Sequence, residues 1–318
     1  MNFESLFENC RLCPRDCGVN RLGNEDRNRS GFCRQNHQLR VAYVGPHFGE
    51  EPPLTGTHGS GTVFFTGCSL RCSFCQNYQI SREGLGRDIT VEALCQEVEA
   101  MIQDHHVHNI NLVTPDHFFP HLVALVLGLR ERSHELPVVM NLSGYQSLAM
   151  LGMSEAIADI YLPDFKYADP HLSAKLSKCK DYGEVALQAI SEMVKQKGFL
   201  DAFEKGTALA TKGVLVRHLV LPGQMENSIN ALTTLFLEFG PRLPLSLMSQ
   251  YTPVVPHRDQ DLNRRLRREE FDTVYSHATS LGFERLFVQF PDDNPSVEAP
   301  FLPDFQQDKP FSGQTPRD

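Results

Sequence analysis

The chain has 318 residues, 41% of them apolar, and a formal net charge of -9. That apolar content can bury a sizeable core, which excludes disorder as the state of the whole chain; the charge is spread without a block of one sign, so no electrostatic footprint for nucleic acid is present. The acidic start, Met1-Asn2-Phe3-Glu4-Ser5-Leu6-Phe7-Glu8, lacks the parts of a secretory signal, and the longest apolar run, Leu122 to Leu129, is too short to span a bilayer, so a cytoplasmic protein without membrane attachment is expected.

In chain order, residues 1–40 form a cysteine-rich segment with Cys10, Cys13, Cys17 and Cys33. Residues 41–61, rich in Gly, Pro and Glu, read as an irregular connector in which His47 and His58 are surface histidines. From 62 to 291 strands and helices alternate. Strands are expected at Val63-Phe64-Phe65, 109–113, 137–142, 159–164, 214–221, 245–250 and 285–290. Helices are expected from the N-cap Thr90 to about Asp104, at 121–133, near 147–158, between 170 and 197, at 227–238 and at 264–281. The stretch 197–213 breaks the pattern as a lid or docking loop, and the tail 292–318, rich in Pro, Asp and Gln, reads as poorly ordered. The alternation implies an α/β fold with a parallel sheet and right-handed crossovers, as a full or partial barrel or a doubly wound sheet.

Nine cysteines is an odd number, and seven of them fall in two tight groups instead of the dispersed pairs of a disulfide scaffold. Metal binding in a reducing compartment explains this better, with Cys95 and Cys179 left as structural residues. The first strand runs into Cys68-Ser69-Leu70-Arg71-Cys72-Ser73-Phe74-Cys75, three thiols in eight residues. Three thiolates on one loop can hold three irons of a cubane cluster and leave the fourth open; the alternatives are a zinc ion completed by a distant ligand, or a buried thiol cluster. The four N-terminal thiols can enclose a zinc ion or an auxiliary iron-sulfur cluster, or form a reduced loop without metal.

Polar residues recur where the expected strands end, which in either α/β architecture is the rim of the active site. They are Thr114-Pro115-Asp116-His117, Asn141-Leu142-Ser143-Gly144-Tyr145, Asp164-Phe165-Lys166, Arg217-His218 and Ser249-Gln250-Tyr251.

The C-x3-C-x2-C loop with Phe74 before its third Cys resembles that of the radical S-adenosylmethionine (SAM) superfamily. Leu12-Cys13-Pro14-Arg15, Phe48-Gly49-Glu50-Glu51-Pro52-Pro53, Cys75-Gln76-Asn77, Tyr161-Leu162-Pro163-Asp164-Phe165-Lys166 and Arg217-His218-Leu219-Val220-Leu221-Pro222-Gly223 extend the resemblance to its glycyl-radical activating branch, proteins similar to pyruvate formate-lyase activating enzyme. The resemblance implies a partial (βα)6-type TIM barrel in which Cys68, Cys72 and Cys75 ligate a [4Fe-4S] cluster whose open iron takes the amino and carboxylate groups of SAM. It places the Phe74 main chain at the adenine, Asp164 and Lys166 near the ribose and carboxylate, and Arg217 at the carboxylate. Asn141 stands where those enzymes usually carry an acid, and Thr114-Pro115-Asp116-His117 where most carry Gly-Gly-Glu, so the acceptors for the SAM amino group come from carbonyls or from the Asp116 carboxylate, which can hold an ammonium. The implied activity is reductive cleavage of SAM to a hydrogen-abstracting radical. The implied partners are an electron donor such as a flavodoxin or ferredoxin, and a glycyl-radical enzyme or other protein; a small molecule or peptide substrate, or a non-catalytic iron-sulfur or zinc protein, are the alternatives.

Overall fold

The computed structural model describes residues 5–23, 30–205, 209–291 and 302–311. After α1 (Ser5–Glu8) and the cysteine-rich turns come β1 (Arg40–His47), α2 (Pro52–Thr55), β2 (Ser60–Phe65), α3 (Tyr78–Ser81), β3 (Arg87–Asp88) and α4 (Val91–His105). Alternation then sets in with β4 (Ile110–Val113), α5 (Phe119–Glu131), β5 (Val138–Leu142), α6 (Leu148–Ser154), β6 (Ile160–Pro163), α7 (Pro170–Ser177) and α8 (Tyr182–Lys197). It continues through α9 (Ala202–Lys205), β7 (Gly213–Val214), β8 (Val216–Leu219), α10 (Met225–Phe239), β9 (Leu245–Met248), α11 (Arg268–Leu281) and β10 (Leu286–Val288).

One sheet has the order β3-β1-β2-β4-β5-β6-β7 and a second the order β10-β9-β8. The neighbours from β2 to β7 pair in parallel, as do β8, β9 and β10. An Asp164–Arg217 bridge and the Phe165 N–H donated to the Arg217 carbonyl carry the pairing from the end of β6 across to β8. The curved sheet is therefore mostly parallel, and since β10 pairs only with β9 among the described residues, the barrel is partial. β4 and β6 are buried at every position, as strands covered on both faces must be.

The helices cover this sheet for local reasons. Thr90 caps α4 by accepting the Ala93 N–H at 3.1 Å, and Leu94, Cys95, Val98 and Met101 put one buried stripe against the core. Each such apolar side chain contributes on the order of 1.5–3 kcal/mol by leaving water. α11 starts at Arg268, later than the sequence pattern suggests. Residues 260–263 form a separate 3-10 turn, and Glu270 turns back to accept the Arg267 N–H, fixing the helix start there.

Further expectations change. The connector at 41–61 contains a strand: β1 pairs antiparallel with β2 despite Gly45 and Pro46, because β3 pairs only with Arg40 and Val41, and beyond them the outer side of β1 tolerates a bulge between Val41 and Tyr43 and a proline near the strand end. The strand expected at 214–221 divides into β7 and β8, one for each sheet. Residues 302–311 of the tail are placed, with Phe305 and Phe311 packed on Phe64; 292–301 and 312–318 lie outside the described residues.

The segment 197–213, expected to be a lid or docking loop and of which 206–208 lie outside the described residues, packs at the N-terminal ends of the strands. There the Gly213 N–H reaches the Asp159 carbonyl at 3.1 Å and Ala210 reaches Pro53 at 2.9 Å. No helix among the described residues is long and apolar enough to cross a membrane.

Candidate functional site

β2 ends at the loop that carries the three thiols. Gly67 begins it with φ +92°, and a Cβ there would come within 2.9 Å of the Cys33 carbonyl, so only glycine lets the loop lie against the N-terminal segment. Every sulfur of the loop accepts a hydrogen bond: Cys68 from the Leu70 N–H at 3.3 Å, Cys72 from the Ser177 hydroxyl at 3.0 Å, and Cys75 from the Ser81 hydroxyl at 3.3 Å.

Burial, and next the neighbouring Cys72, push the Cys68 thiol up to about 12; the same two causes raise Cys75. Crowded thiolates of this kind are stable only beside compensating positive charge, which a metal cluster supplies. The donor set therefore fits a [4Fe-4S] cluster. Among the described residues no three His, Cys, Asp or Glu side chains gather closely enough for a single metal ion; a polynuclear cluster instead gives each thiolate its own iron.

The three thiols line one side of a cavity of about 420 Å³. Phe74, Thr114, Asn141, Asp164, Lys166 and Arg217, from the ends of successive strands, share that lining. Phe74 stands edge-on to Tyr167 and Tyr251. Asp164 and Lys166 pair with each other across the cavity wall, and although burial opposes the Lys166 ammonium, Asp164 holds its pKa above the ordinary value.

Their turn depends on Gly144, where a Cβ would fall 2.0 Å from the Asp164 carbonyl. It depends also on Tyr182, whose hydroxyl shares its proton between the carbonyls of Ser143 and Asp164 and accepts the Lys166 N–H at 3.0 Å.

Arg217 lies on the cavity but is not free in it. Its Nε donates to Glu51 at 2.9 Å, and Nη2 is shared between Glu50 and Glu51. Both acids come from the loop after β1, which plugs the N-terminal end of the barrel, so the triad forms the cavity floor. Burial opposes the Arg217 charge, but the two carboxylates raise its pKa; in turn Arg217 outweighs the burial of Glu50 and lowers that acid below its usual range.

Asp116 does not reach the cavity. Pro115 leads into the 3-10 turn Asp116–Phe118, which points the carboxylate inward, where it accepts Gln146 Nε2 at 3.0 Å and the Ser69 hydroxyl at 3.3 Å. The expectation that this acid meets a ligand ammonium is corrected by that burial. Desolvation lifts Asp116 from 3.8 up to about 6. A raised native pKa means that the native state holds its proton more tightly than the unfolded chain does. Its contribution is complete below about 4 and is lost as pH rises through about 6. Between pH 4 and 6.5, Asp116→Asn should therefore remove a fall in stability on the order of 2–3 kcal/mol. Parallel urea titrations check this; equal pH slopes in both proteins would count against it.

The N-terminal thiols lie directly behind this loop. Cys10 and Cys33 are buried, Cys13 and Cys17 half-buried, and the Cys17 sulfur accepts the Phe32 N–H at 3.5 Å. Arg15 ties the segment to the site: it donates to the carbonyls of Ser69, Ser177 and Lys178 and lies 3.8 Å over the Phe32 ring. Cys95 packs under α4 and Cys179 near Arg15, and neither lines the cavity. His47 lines the cavity wall beside Phe311 at 4.4 Å, unlike the surface residue expected, whereas His58 sits with His108 on the outside. Residues missed from sequence are Arg15, Ser81, Ser177, Tyr182, Glu50 and Glu51. Of these only Arg15, in the Leu12-Cys13-Pro14-Arg15 run, and the paired acids, charged residues inside a Gly/Pro stretch, carried a visible signal.

Residues 62–235 match the family model described as the radical SAM superfamily. An uncharacterised protein, MJ0674, of Methanocaldococcus jannaschii is 27% identical over 293 residues, 89% of this chain and 78% of that protein. Among solved structures, Streptococcus suis SuiB bound to S-adenosylmethionine aligns with a TM-score of 0.47 and 11% identity, over 70% of this chain and 48% of its own, so the chain spans about half of SuiB. Methylornithine synthase (PylB) aligns with a TM-score of 0.45 and 17% identity over 76% and 75% of the two chains, and HydG, a maturase of the [FeFe]-hydrogenase, with 0.49 and 12% over 72% and 50%. With more than half of its length matched by the family model and its three-thiol loop opening on the barrel cavity, the chain belongs to the radical SAM superfamily.

Proposed function

We propose that this radical SAM enzyme passes its radical to a partner polypeptide, as a glycyl-radical activating enzyme. The observation that carries the reading is the joint presence on one cavity of the three-thiol loop and the Asp164-x-Lys166 turn, which resembles the D-x-K turn of activating enzymes. Cys68, Cys72 and Cys75 would hold a [4Fe-4S] cluster, which when bound would supply the electron for reductive cleavage of SAM and hydrogen-atom abstraction.

The chain's own work is orientation and exclusion of water. Phe74 closes the adenine side. Asp164 would accept ribose hydroxyls, while Lys166 and Arg217 would be the cations for the SAM carboxylate. Met248, Phe287 and Val288 give the far wall an apolar surface on which the reactive carbon is kept from solvent. A flavodoxin or ferredoxin delivers the electron.

After anaerobic reconstitution with iron and sulfide, deoxyadenosine should form when SAM and reductant are added. Its yield should rise with the macromolecular fraction of a cell extract, together with a protein-borne radical in the paramagnetic resonance spectrum. Stimulation by the small-molecule fraction alone would replace this reading with turnover of a small substrate.

A second metal on Cys10, Cys13, Cys17 and Cys33 is supported by the charge balance around Arg21. That guanidinium is fully buried, and its hydrogen bonds go to the Gln35 and Asn36 carbonyls and the Cys10 sulfur. No carboxylate pairs with it among the described residues. A buried cation needs an anion nearby, and metal-bound thiolates beside Arg21 would be that anion. Four thiolates can hold either a zinc ion or an iron-sulfur cluster.

A further inference from the structure

The tail returns to the site after β10. Residues 302–311 form an irregular loop in which the Asp304 N–H donates to the Pro310 carbonyl at 3.0 Å. Gln79 of α3, the short helix that follows the three-thiol loop, holds this tail loop by both atoms of its amide: Nε2 donates to Asp304 at 3.0 Å, and Oε1 accepts the Phe305 N–H at 2.8 Å. Phe305 packs with Phe64, Ile80 and Val113 in a small apolar cluster separate from the main core, with Phe311 at its edge. The main core of the barrel therefore does not depend on the tail.

Phe311 stands between two cavities. One is the site cavity of about 420 Å³ that the three thiols line; the other, of about 510 Å³, lies against β1, α4 and the tail, with Tyr43, Phe48, Met101 and Lys309 in its wall. Among the described residues Phe311 alone lines both. With the tail in place one group stays unsatisfied: His47, whose ring centroid lies 4.4 Å from that of Phe311, keeps Nδ1 buried with no hydrogen-bond partner among the described residues. A buried polar atom without a partner costs stability, so an occupant that brought a peptide group to it would hold this seat more tightly than the tail does.

We infer that residues 302–311 are a displaceable plug, and that the seat they fill takes a loop of the partner polypeptide, which reaches the site cavity through the outer one. The seat selects such a loop by its chemistry: the Gln79 amide reads a backbone N–H, and Tyr43, Phe64 and His47 receive an aromatic ring, as they now receive Phe311. The inference rests on the reading of a polypeptide substrate and names where that chain enters.

The test uses the full chain after anaerobic reconstitution, with no SAM present, and a labelled synthetic peptide copying residues 302–311 beside a scrambled control. Phe311→Ala should quicken amide exchange at 302–311 roughly 10- to 100-fold. An iron chelator should strip its first-loop cluster several-fold faster, because the site cavity then opens into the outer one. The peptide should bind this variant about tenfold or more tighter than the natural protein, whose seat is filled, and should slow the chelator again. Adding Gln79→Ala should bring peptide binding down to that of the scrambled control. Phe305→Ala gives the same readings if Phe311→Ala does not fold. A chelation rate that does not change, or a peptide that binds natural protein and variant alike, would overturn the plug. In the natural protein with SAM and reductant, the macromolecular fraction that raises the deoxyadenosine yield should also quicken exchange at 302–311. A raised yield with unchanged exchange would overturn the entry. If no macromolecular fraction raises the yield, the polypeptide reading falls, while the chelator and the peptide still decide the plug.

Discussion

Cys72→Ala is expected to strip the first-loop cluster, about four irons per chain, and to bring deoxyadenosine formation down to background. Cys72 lies between the other two thiols of the loop, and its sulfur takes the Ser177 hydroxyl that is itself bonded to Tyr167. With two thiolates left, a cubane loses a corner and the open iron loses its frame. Cys95→Ala should keep all iron, since Cys95 packs in the α4 stripe with its thiol directed at the Leu125 carbonyl. Cys33→Ala should lose the N-terminal metal yet keep the first-loop cluster. Iron and zinc counts after anaerobic reconstitution, with the paramagnetic spectrum of the reduced protein, separate the three. Equal iron loss from Cys72→Ala and Cys95→Ala would refute the ligand assignment, and undiminished iron and zinc in Cys33→Ala would leave the N-terminal thiols without a metal.

Removing Arg217 is the second large effect. Its side chain is 11% exposed and those of Glu50 and Glu51 are 5% and 7%, so Arg217→Ala leaves two carboxylates facing each other in a nearly dry floor. Breaking a buried pair in this way costs about 3–5 kcal/mol, and the melting temperature should fall by roughly 5 °C or more.

The pH dependence follows from the direction of the shift. In the natural protein Arg217 holds the Glu50 pKa below its ordinary value, so the triad's contribution is present above that value and is lost as pH falls through the native one. In the variant, burial without the guanidinium raises Glu50 instead, and a proton restores neutrality. The stability gap should therefore be wide at pH 7 and narrow towards pH 4, and combining Arg217→Met with Glu50→Gln and Glu51→Gln should recover most of it. Denaturant titrations at both pH values decide this. A gap below about 1 kcal/mol, or one that does not change with pH, would mean that the triad carries little of the fold's stability.

Much of this protein is written locally. Three thiols in eight residues share one loop whatever the rest of the chain does, and the period of apolar residues in 91–105 or the buried run of 110–113 names a helix or a strand without reference to partners. The alternation of such segments limits the fold to a parallel sheet with crossovers, so the rim residues Asn141, Asp164 and Lys166 could be named from their strand ends.

What lay beyond local pattern was decided by closure of the sheet. Whether Asp116 faces a cavity or the core depends on one 3-10 turn and on the Gln146 and Ser69 groups waiting to bond it. Arg15 clamps carbonyls more than 160 residues away, and Arg217 meets Glu51 across 166 positions of sequence. The second of those pairings exists because β1 turns antiparallel and its following loop plugs the barrel from below. Spacing along the chain carries no trace of them, because hydrogen bonds and charges act through space, and only the folded path of the backbone sets which groups come within reach.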